Sequence, residues 1–382
     1  MHLGAMLGMM KRAIEDQLRI DVQKKMVLLA GPRQVGKTTL SKSLVAHHQY
    51  LNFDDSDDRK IILKKAWDRT QDLVILDELH KKPKWKSWIK GIYDTEGNKP
   101  SLLITGSARL DIHRKGGDSL AGRHFLHRLH PLSLAELRDQ VSPTEALETI
   151  LKVGGFPEPF LNGEEAYAKR WRSSHLDRIL REDLIDLEPV RQIKSIEILV
   201  DLLSDRVGSP ISYANLARDL EVSPHSVKKW IGLLEMLYVV FVVPPFSRNM
   251  ARALLKESKI YFYDIGRIEN NLAARFENVV ALSLLKDLHM REDALGERNQ
   301  LYYLRDKEKR EVDFLTLVDR KIESLVEVKV SDDSVSKSLV YFKERLHPKR
   351  TFQIVKDLKK EQTSRGIQVQ SATKFLTHLE MR

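Results

Sequence analysis

Nine consecutive residues constrain this chain more than any others: Gly31-Pro32-Arg33-Gln34-Val35-Gly36-Lys37-Thr38-Thr39. They satisfy the pattern G-x-x-x-x-G-K-[ST], and their flanks suit it. The apolar run Met26-Val27-Leu28-Leu29-Ala30 precedes them as a strand, and Leu40 to Val45 follows as a helix. Strand, loop and helix in that order aim backbone N–H groups at an anion. Lys37 would reach the β- and γ-phosphates and the Thr38 hydroxyl would meet Mg²⁺. Residues 31–39 are therefore the candidate cradle for a nucleoside triphosphate, taken as ATP with Mg²⁺. The plain alternative, a glycine turn that happens to end in Lys-Thr, does not account for the flanks.

A second segment, Asp72-Leu73-Val74-Ile75-Leu76-Asp77-Glu78, is an apolar run closed by two carboxylates. In a parallel sheet its carboxyl end lies beside the loop. Asp77 suits the metal shell, directly or through water. Glu78 suits the base that orients an attacking water, since phosphoryl transfer depends on positioning and charge stabilisation. Ser101 to Thr105 reads as a third strand. Arg123 follows the glycines Gly116 and Gly117, and an Arg there can stabilise transition-state charge, in trans if the chain self-associates, or can be a surface Arg in a basic stretch.

Composition narrows the setting. In 382 residues, Lys plus Arg number 64 against 54 Asp plus Glu, a net charge of +10 that favours anionic partners, nucleic acid first. The chain has no Cys, which excludes disulfides and thiolate metal sites. No apolar run approaches the ~18 residues of a membrane span, and residues 1–9 lack the basic start and cleavage site of a signal peptide. A cytoplasmic, soluble protein without membrane partners is expected. No internal repeat or low-complexity segment is evident.

From about His130 to Leu187 the spacing of leucines is helical, with Gly154 to Pro159 read as a loop. Residues 211–220 and 225–235 then read as two helices around the turn Glu221-Val222-Ser223, with a strand over 237–243. That order describes a winged helix-turn-helix. Val227, Ile231 and Leu234 would face its core, and Ser226, Lys228 and Lys229 would face DNA. A protein–protein or interdomain role for the same module stays open.

The carboxyl-terminal third carries Glu277 near the start of a helix over 276–285, then strands over 301–305, 311–318 and 324–330. Alternation puts Glu327 and Lys329 on one strand face, and Asp313 on the neighbouring strand can reach it. Two or three carboxylates with a Lys bind Mg²⁺ or Mn²⁺ and act on a phosphodiester. Asp313 and Glu327 are the candidate ligands, with Glu277 and Lys329 completing the catalytic set. The alternative is an ion-pair face on a half-exposed sheet.

Taken in order, these segments resemble the bacterial and archaeal AAA-type ATPases that end in a restriction-endonuclease-like domain, often described only as a domain of unknown function. The resemblance runs from Lys11-Arg12 to about Val330. It rests on Gly31 to Thr39, Leu76 to Leu79, Ile104 to Ser107, Ser119 to Arg123, Pro131 to Leu134, Gly154 to Glu158 and the Glu/Asp/Glu-x-Lys set. It implies an α/β fold: a P-loop AAA-type ATPase core (1–130), a helical lid (131–194), a winged helix (195–250) and an α/β restriction-endonuclease-like domain (251–382). It also implies ATP hydrolysis, homo-oligomerisation, and a γ-phosphate sensor at Thr105 or Ser107. His80 departs from the family, where Gln usually follows the acidic strand. The expected function is an ATPase acting on DNA, with nucleotide state regulating DNA binding or metal-dependent cleavage. The alternative is a regulatory switch whose last domain only binds DNA or protein.

Overall fold

Strands that are buried on both faces read as unbroken apolar runs, and three such runs form the centre of the amino-terminal sheet. In the computed structural model, which describes residues 10–106, 110, 120–187, 192–247 and 257–379, these are β1 (Met26–Ala30), β3 (Leu73–Asp77) and β4 (Ser101–Thr105). With β2 (His48–Asn52) and β5 (His124–Arg128) they make a parallel sheet of order β2-β3-β4-β1-β5. The strands alternate with α1 (Glu15–Lys24), α2 (Lys37–Ser43), α3 (Ser56–Lys64) and α4 (Trp85–Glu96). Trp67, Trp85, Ile89 and Ile92 pack with Leu28, Leu76 and Ile104 in one core. Register places Asn52, Asp77 and Thr105 side by side at the carboxyl edge of the sheet. β5 was not expected: its sequence, His-Phe-Leu-His-Arg, mixes polar and apolar residues as an edge strand does.

The described residues divide into two compact units. One runs to Pro131 and includes Met236–Tyr238; the other holds Leu132–Glu235 and the residues from Val239 on. Apart from Met236–Tyr238, the second unit thus contains all three of the later segments read from the sequence. It opens with α5 (Leu134–Leu137), α6 (Pro143–Val153), α7 (Pro157–Asn162), α8 (Glu165–Arg178) and, after a π-helical turn, α9 (Leu184–Leu187). α7 begins inside the stretch expected as a loop, because Pro157 at the head of a helix has no N–H to lose there.

Next come α10 (Ile193–Ser204), β6 (Pro210–Ile211), α11 (Tyr213–Asp219), α12 (Pro224–Met236), β7 (Val240–Val243) and β8 (Ser258–Phe262). The three strands form an antiparallel sheet of order β6-β8-β7. α11 is shorter than expected: Ser212 caps it through Asn215 N, and the two residues before belong to β6.

The chain ends on a six-stranded mixed sheet of order β13-β14-β12-β11-β10-β9. Before it lies α13 (Leu272–Leu295), longer at both ends than the expected 276–285. Asn271 caps its start through Ala274 N, the residues after Leu285 are good helix formers, and Gly296 stops it. The strands are β9 (Asn299–Arg305), β10 (Glu311–Val318), β11 (Lys321–Lys329), β12 (Arg350–Val355), β13 (Gln362–Ser364) and β14 (Ile367–Ser371). α14 (Lys337–Leu346) precedes β12, its Leu339 and Phe342 packing with Leu315 and Leu325, and α15 (Ala372–Thr377) follows β14. Among the described residues no helix is long and apolar enough to cross a membrane.

One side chain fastens α13 to β8. Asn278 is fully buried; its Oδ1 accepts from Phe262 N and its Nδ2 donates to Phe262 O, both at 2.8 Å. It does for one residue what a neighbouring strand would do. Asn278→Ala strands two buried backbone groups and should lower unfolding free energy by about 2–4 kcal/mol, read in urea titration. A loss within experimental error would mean that water replaces the amide.

Candidate functional site

The loop between β1 and α2 is shaped by close approaches. A Cβ on Gly31 would stand 2.3 Å from the Leu129 carbonyl oxygen, so only glycine fits. Gly36, the N-cap of α2, has φ +99°, a conformation that glycine adopts without strain. Arg12, buried beneath the loop, donates from Nη1 to Val35 O at 3.0 Å and from Nη2 to His130 O. Lys37 is 8% exposed, and its ammonium donates to the carbonyls of Gly31 (2.9 Å) and Pro32 (2.7 Å). The cationic head is thus folded back onto the loop it belongs to.

Asp77 collects donors from four directions. Thr38 Oγ1 (3.0 Å) and the Tyr50 hydroxyl (2.7 Å) donate to its Oδ2. Thr105 Oγ1 and Glu78 N (3.1 Å) donate to its Oδ1. Burial, and then the hydrogen bond to Asp77, push the Tyr50 phenol far above its ordinary pKa. Glu78 has φ 57°, in the left-handed region, and its N–H also donates to Thr105 O at 3.1 Å. A non-glycine residue held there stores about 1–3 kcal/mol of strain, a mark common at functional positions. His80 Nε2 lies 3.5 Å from Glu78 Oε2.

Arg123 is engaged within its own unit. Its Nε and Nη2 donate to Asp94 at 2.6 and 3.2 Å, and Nη1 donates to Ala121 O at 3.2 Å. Thr105 has its hydroxyl on Asp77, while Ser107 lies outside the described residues. Sequence reasoning missed Arg12 and Tyr50. Tyr50 had a signal, a polar ring near the carboxyl end of the strand beside the acidic one. Arg12 had none beyond its charge.

The second constellation gathers in the other unit. Lys329 Nζ pairs with Glu327 Oε1 at 2.9 Å, as alternation along β11 requires. Asp313 Oδ2 accepts from Val328 N at 2.8 Å, which sets it beside the Glu-x-Lys segment. The register of β10 against β9 shifts between Val312 and Leu315, the stretch that holds Asp313. Lys259 of β8, not foreseen, enters the same group. Its ammonium lies 2.7 Å from Glu311, 3.3 Å from Glu277 and 3.7 Å from Asp313, with the side chain only 1% exposed. Tyr261, two residues on and so on the same strand face, donates to Glu277 Oε1 at 2.6 Å. A lone Lys in an apolar strand was the available signal.

A divalent ion at a nuclease-like site needs several oxygens converging at about 2.1 Å for Mg²⁺. Among the described residues no three His, Asp or Glu side chains are arranged to hold one. Three of the carboxylates face an ammonium instead. Glu327 Oε2 is buried with no hydrogen-bond partner among the described residues, but one orphaned oxygen is not a ligand set. The cluster as folded does not fit the metal.

Charge in this cluster is poorly solvated. Burial first, then the charge of Asp313, push Glu277 up to about 7, while Lys259 and the Tyr261 hydroxyl oppose the rise. Glu327 is raised to about 7 by burial and Asp313, against Lys329. The three carboxylates hold Lys259 above its ordinary value although burial alone would lower it. A carboxyl group whose folded pKa exceeds its unfolded value binds its proton more tightly when folded. Its stabilisation is complete below the ordinary value of 4.5 and is lost as pH rises through about 7. Thermal midpoints should therefore fall by about 5 °C from about pH 5 to about pH 8, and Glu277→Gln should flatten that fall. Identical slopes for the two proteins would remove Glu277 as the source.

Comparison with known proteins agrees with the amino-terminal geometry. Residues 23–138 match the family model of the AAA domain. Residues 144–275 match a domain of unknown function, DUF8612, and residues 273–375 match another, DUF4143. An uncharacterized protein of Methanocaldococcus jannaschii is 26% identical over 342 residues, spanning 81% of this chain and 75% of its own length. One of Mycobacterium tuberculosis is 26% identical over 323 residues, spanning 82% and 72%. Among solved structures, a variant of Thermotoga maritima RuvB is 16% identical with a TM-score of 0.32, covering 64% of this chain and 94% of that one. The DNA clamp loader delta protein of Bacillus subtilis is 13% identical with a TM-score of 0.26, covering 62% and 90%. By the family match, which implies ATP with Mg²⁺, residues 23–138 form an AAA-type ATPase domain.

Proposed function

We propose that the chain is an ATP hydrolase whose nucleotide state governs its binding to DNA. The observation that carries the first half is the convergence of Thr38, Tyr50, Thr105 and the Glu78 N–H on Asp77. These groups lie at the end of the loop in which Lys37 folds back on Gly31 and Pro32. Gly31 to Thr39 would wrap the phosphates, and Lys37 would exchange its two carbonyl partners for phosphate oxygens. Thr38 and Asp77 are the residues that would hold Mg²⁺, which when bound offsets phosphate charge. Glu78, braced at a strained backbone, would orient the attacking water. Arg123 would stabilise transition-state charge from a neighbouring copy, once released from Asp94. Ser107 remains the sensor candidate, with the Thr105 hydroxyl committed to Asp77.

Steady-state turnover with nucleotide binding measured in parallel tests this reading. Glu78→Gln should keep nucleotide affinity and lose turnover by about 100-fold or more, Arg123→Ala should do likewise, and Lys37→Ala should lose binding as well. Turnover of Glu78→Gln at the wild-type rate would end the assignment.

The second half rests on the module of α10, α11 and α12 with the sheet β6-β8-β7, whose order supports a winged helix. Lys228 and Lys229 are exposed on α12 while Val227 and Trp230 are buried, so its basic face turns outward. Ser226 is half-buried, and its hydroxyl shares a hydrogen bond with Ser223 at 2.9 Å. Asp313 approaches β11 as a nuclease-like site requires, but with Lys259 in the carboxylate group no metal-dependent cleavage is proposed. Lys228→Glu/Lys229→Glu should weaken DNA binding by at least about tenfold at every sequence and reduce its salt dependence. Wild-type anisotropy titrations from that variant, with turnover unmoved by DNA, would favour a regulatory switch acting on protein.

A further inference from the structure

We propose that Lys259 is the resident cation of the carboxyl-terminal carboxylate cluster, occupying by covalent attachment the place that a divalent metal would need. Glu277 comes from α13, Glu311 and Asp313 from β10, and the ammonium of β8 lies within 3.7 Å of an oxygen of each. Its side chain is 1% exposed, so it cannot leave for water without moving β8 or its neighbours. The approach is fixed from two further sides. Tyr261 holds Glu277 from the same strand face, and Lys259 also sits over the Tyr303 ring, 5.4 Å from its centroid. A Cβ on Gly208 would meet Glu277 oxygens at 2.9 Å, so Gly208 backs one side of Glu277, whose side chain is 19% exposed.

Charge explains why the two cations exclude each other. Lys259 among the three carboxylates, with Arg305 Nη1 on Glu311 at 3.1 Å, leaves a formal balance of about one negative charge, and the Tyr261 hydroxyl on Glu277 and the Val328 N–H on Asp313 help to carry it. A divalent ion added beside it would face like charge at contact distance, where repulsion is large in a poorly solvated interior. Removing the ammonium leaves Glu277 and Asp313 without their counter-charge, while Glu311 keeps Arg305 at 3.1 Å, and oxygen-seeking cations occupy carboxylates so exposed. The cluster is therefore a closed ion-pair lock joining β8, α13 and β10, and it binds no divalent metal while Lys259 is present. This inference stands apart from the nucleotide site and does not rest on it.

The test is Mn²⁺ binding by electron paramagnetic resonance on the full, nucleotide-free chain, comparing wild type, Asp313→Asn, Lys259→Met and Lys259→Met/Asp313→Asn. The amino-terminal loop could take Mn²⁺ too, so the quantity read is the difference between variants. Wild type and Asp313→Asn should bind equally. Lys259→Met should bind about one more Mn²⁺ per chain at millimolar concentration or below, and the double variant should lose it. Wild type binding more Mn²⁺ than Asp313→Asn would overturn the proposal, as would Lys259→Met gaining none. If Lys259→Met does not fold, the comparison of wild type with Asp313→Asn decides alone.

Discussion

The amino-terminal unit depends on how one carboxylate is satisfied. Asp77 is 7% exposed at the carboxyl edge of a parallel sheet, where an unpaired charge would cost several kcal/mol. Its partners come from β2 (Tyr50), β4 (Thr105), the first turn of α2 (Thr38) and its own chain (Glu78 N). The sheet order makes this possible, because β3 lies between β2 and β4. Any change in what Thr38 touches must be felt at both neighbouring strands, since all three hydroxyls share two oxygens.

Two solutions to the same electrostatic problem stand in one chain. Around Asp77 the donors are neutral hydroxyls and an amide, so the charge is solvated but not cancelled, and a cation still gains from approaching. Around Glu277, Glu311 and Asp313 the donors include a full ammonium, Lys259, and the Arg305 guanidinium on Glu311, beside the Tyr261 hydroxyl and the Val328 N–H. The difference lies less in the number of carboxylates than in whether the protein supplies the counter-charge itself. On the proposed reading, that distinction is what lets the first site take a cation and denies it to the second.

The parts legible in the sequence were those with short-range signals. The loop, the apolar strands on either side of it, the acidic end of β3 and the Glu-x-Lys alternation are each written within ten residues. β10 was read with its true limits because Glu311 to Val318 alternates between a charged turn and another turn. β5 was missed because an edge strand needs no continuous apolar run. α7 was missed because its prolines read as a breaker until the helix start is known. Lys259 and Tyr50 were missed for another reason: the sequence offers each a faint local signal, but their meaning lies in partners 18 and 27 residues away.

α13 ties together the mixed elements of the second compact unit. Two consecutive residues on it serve β8 in different ways: Glu277 faces Lys259 and Tyr261, and Asn278 holds the backbone of Phe262. Further along, the buried Lys286 donates to Ser133 Oγ at 2.9 Å and to Glu136, the two ends of the capping box that starts α5. Ser283 Oγ returns to Val279 O within the helix, leaving no polar group there to seek water. The helix is buried around most of its circumference, as a central element must be. A change of charge at Glu277 therefore acts on the element that also anchors the first helices of the unit. Because interiors are close-packed, that strain has no soft boundary at which to stop.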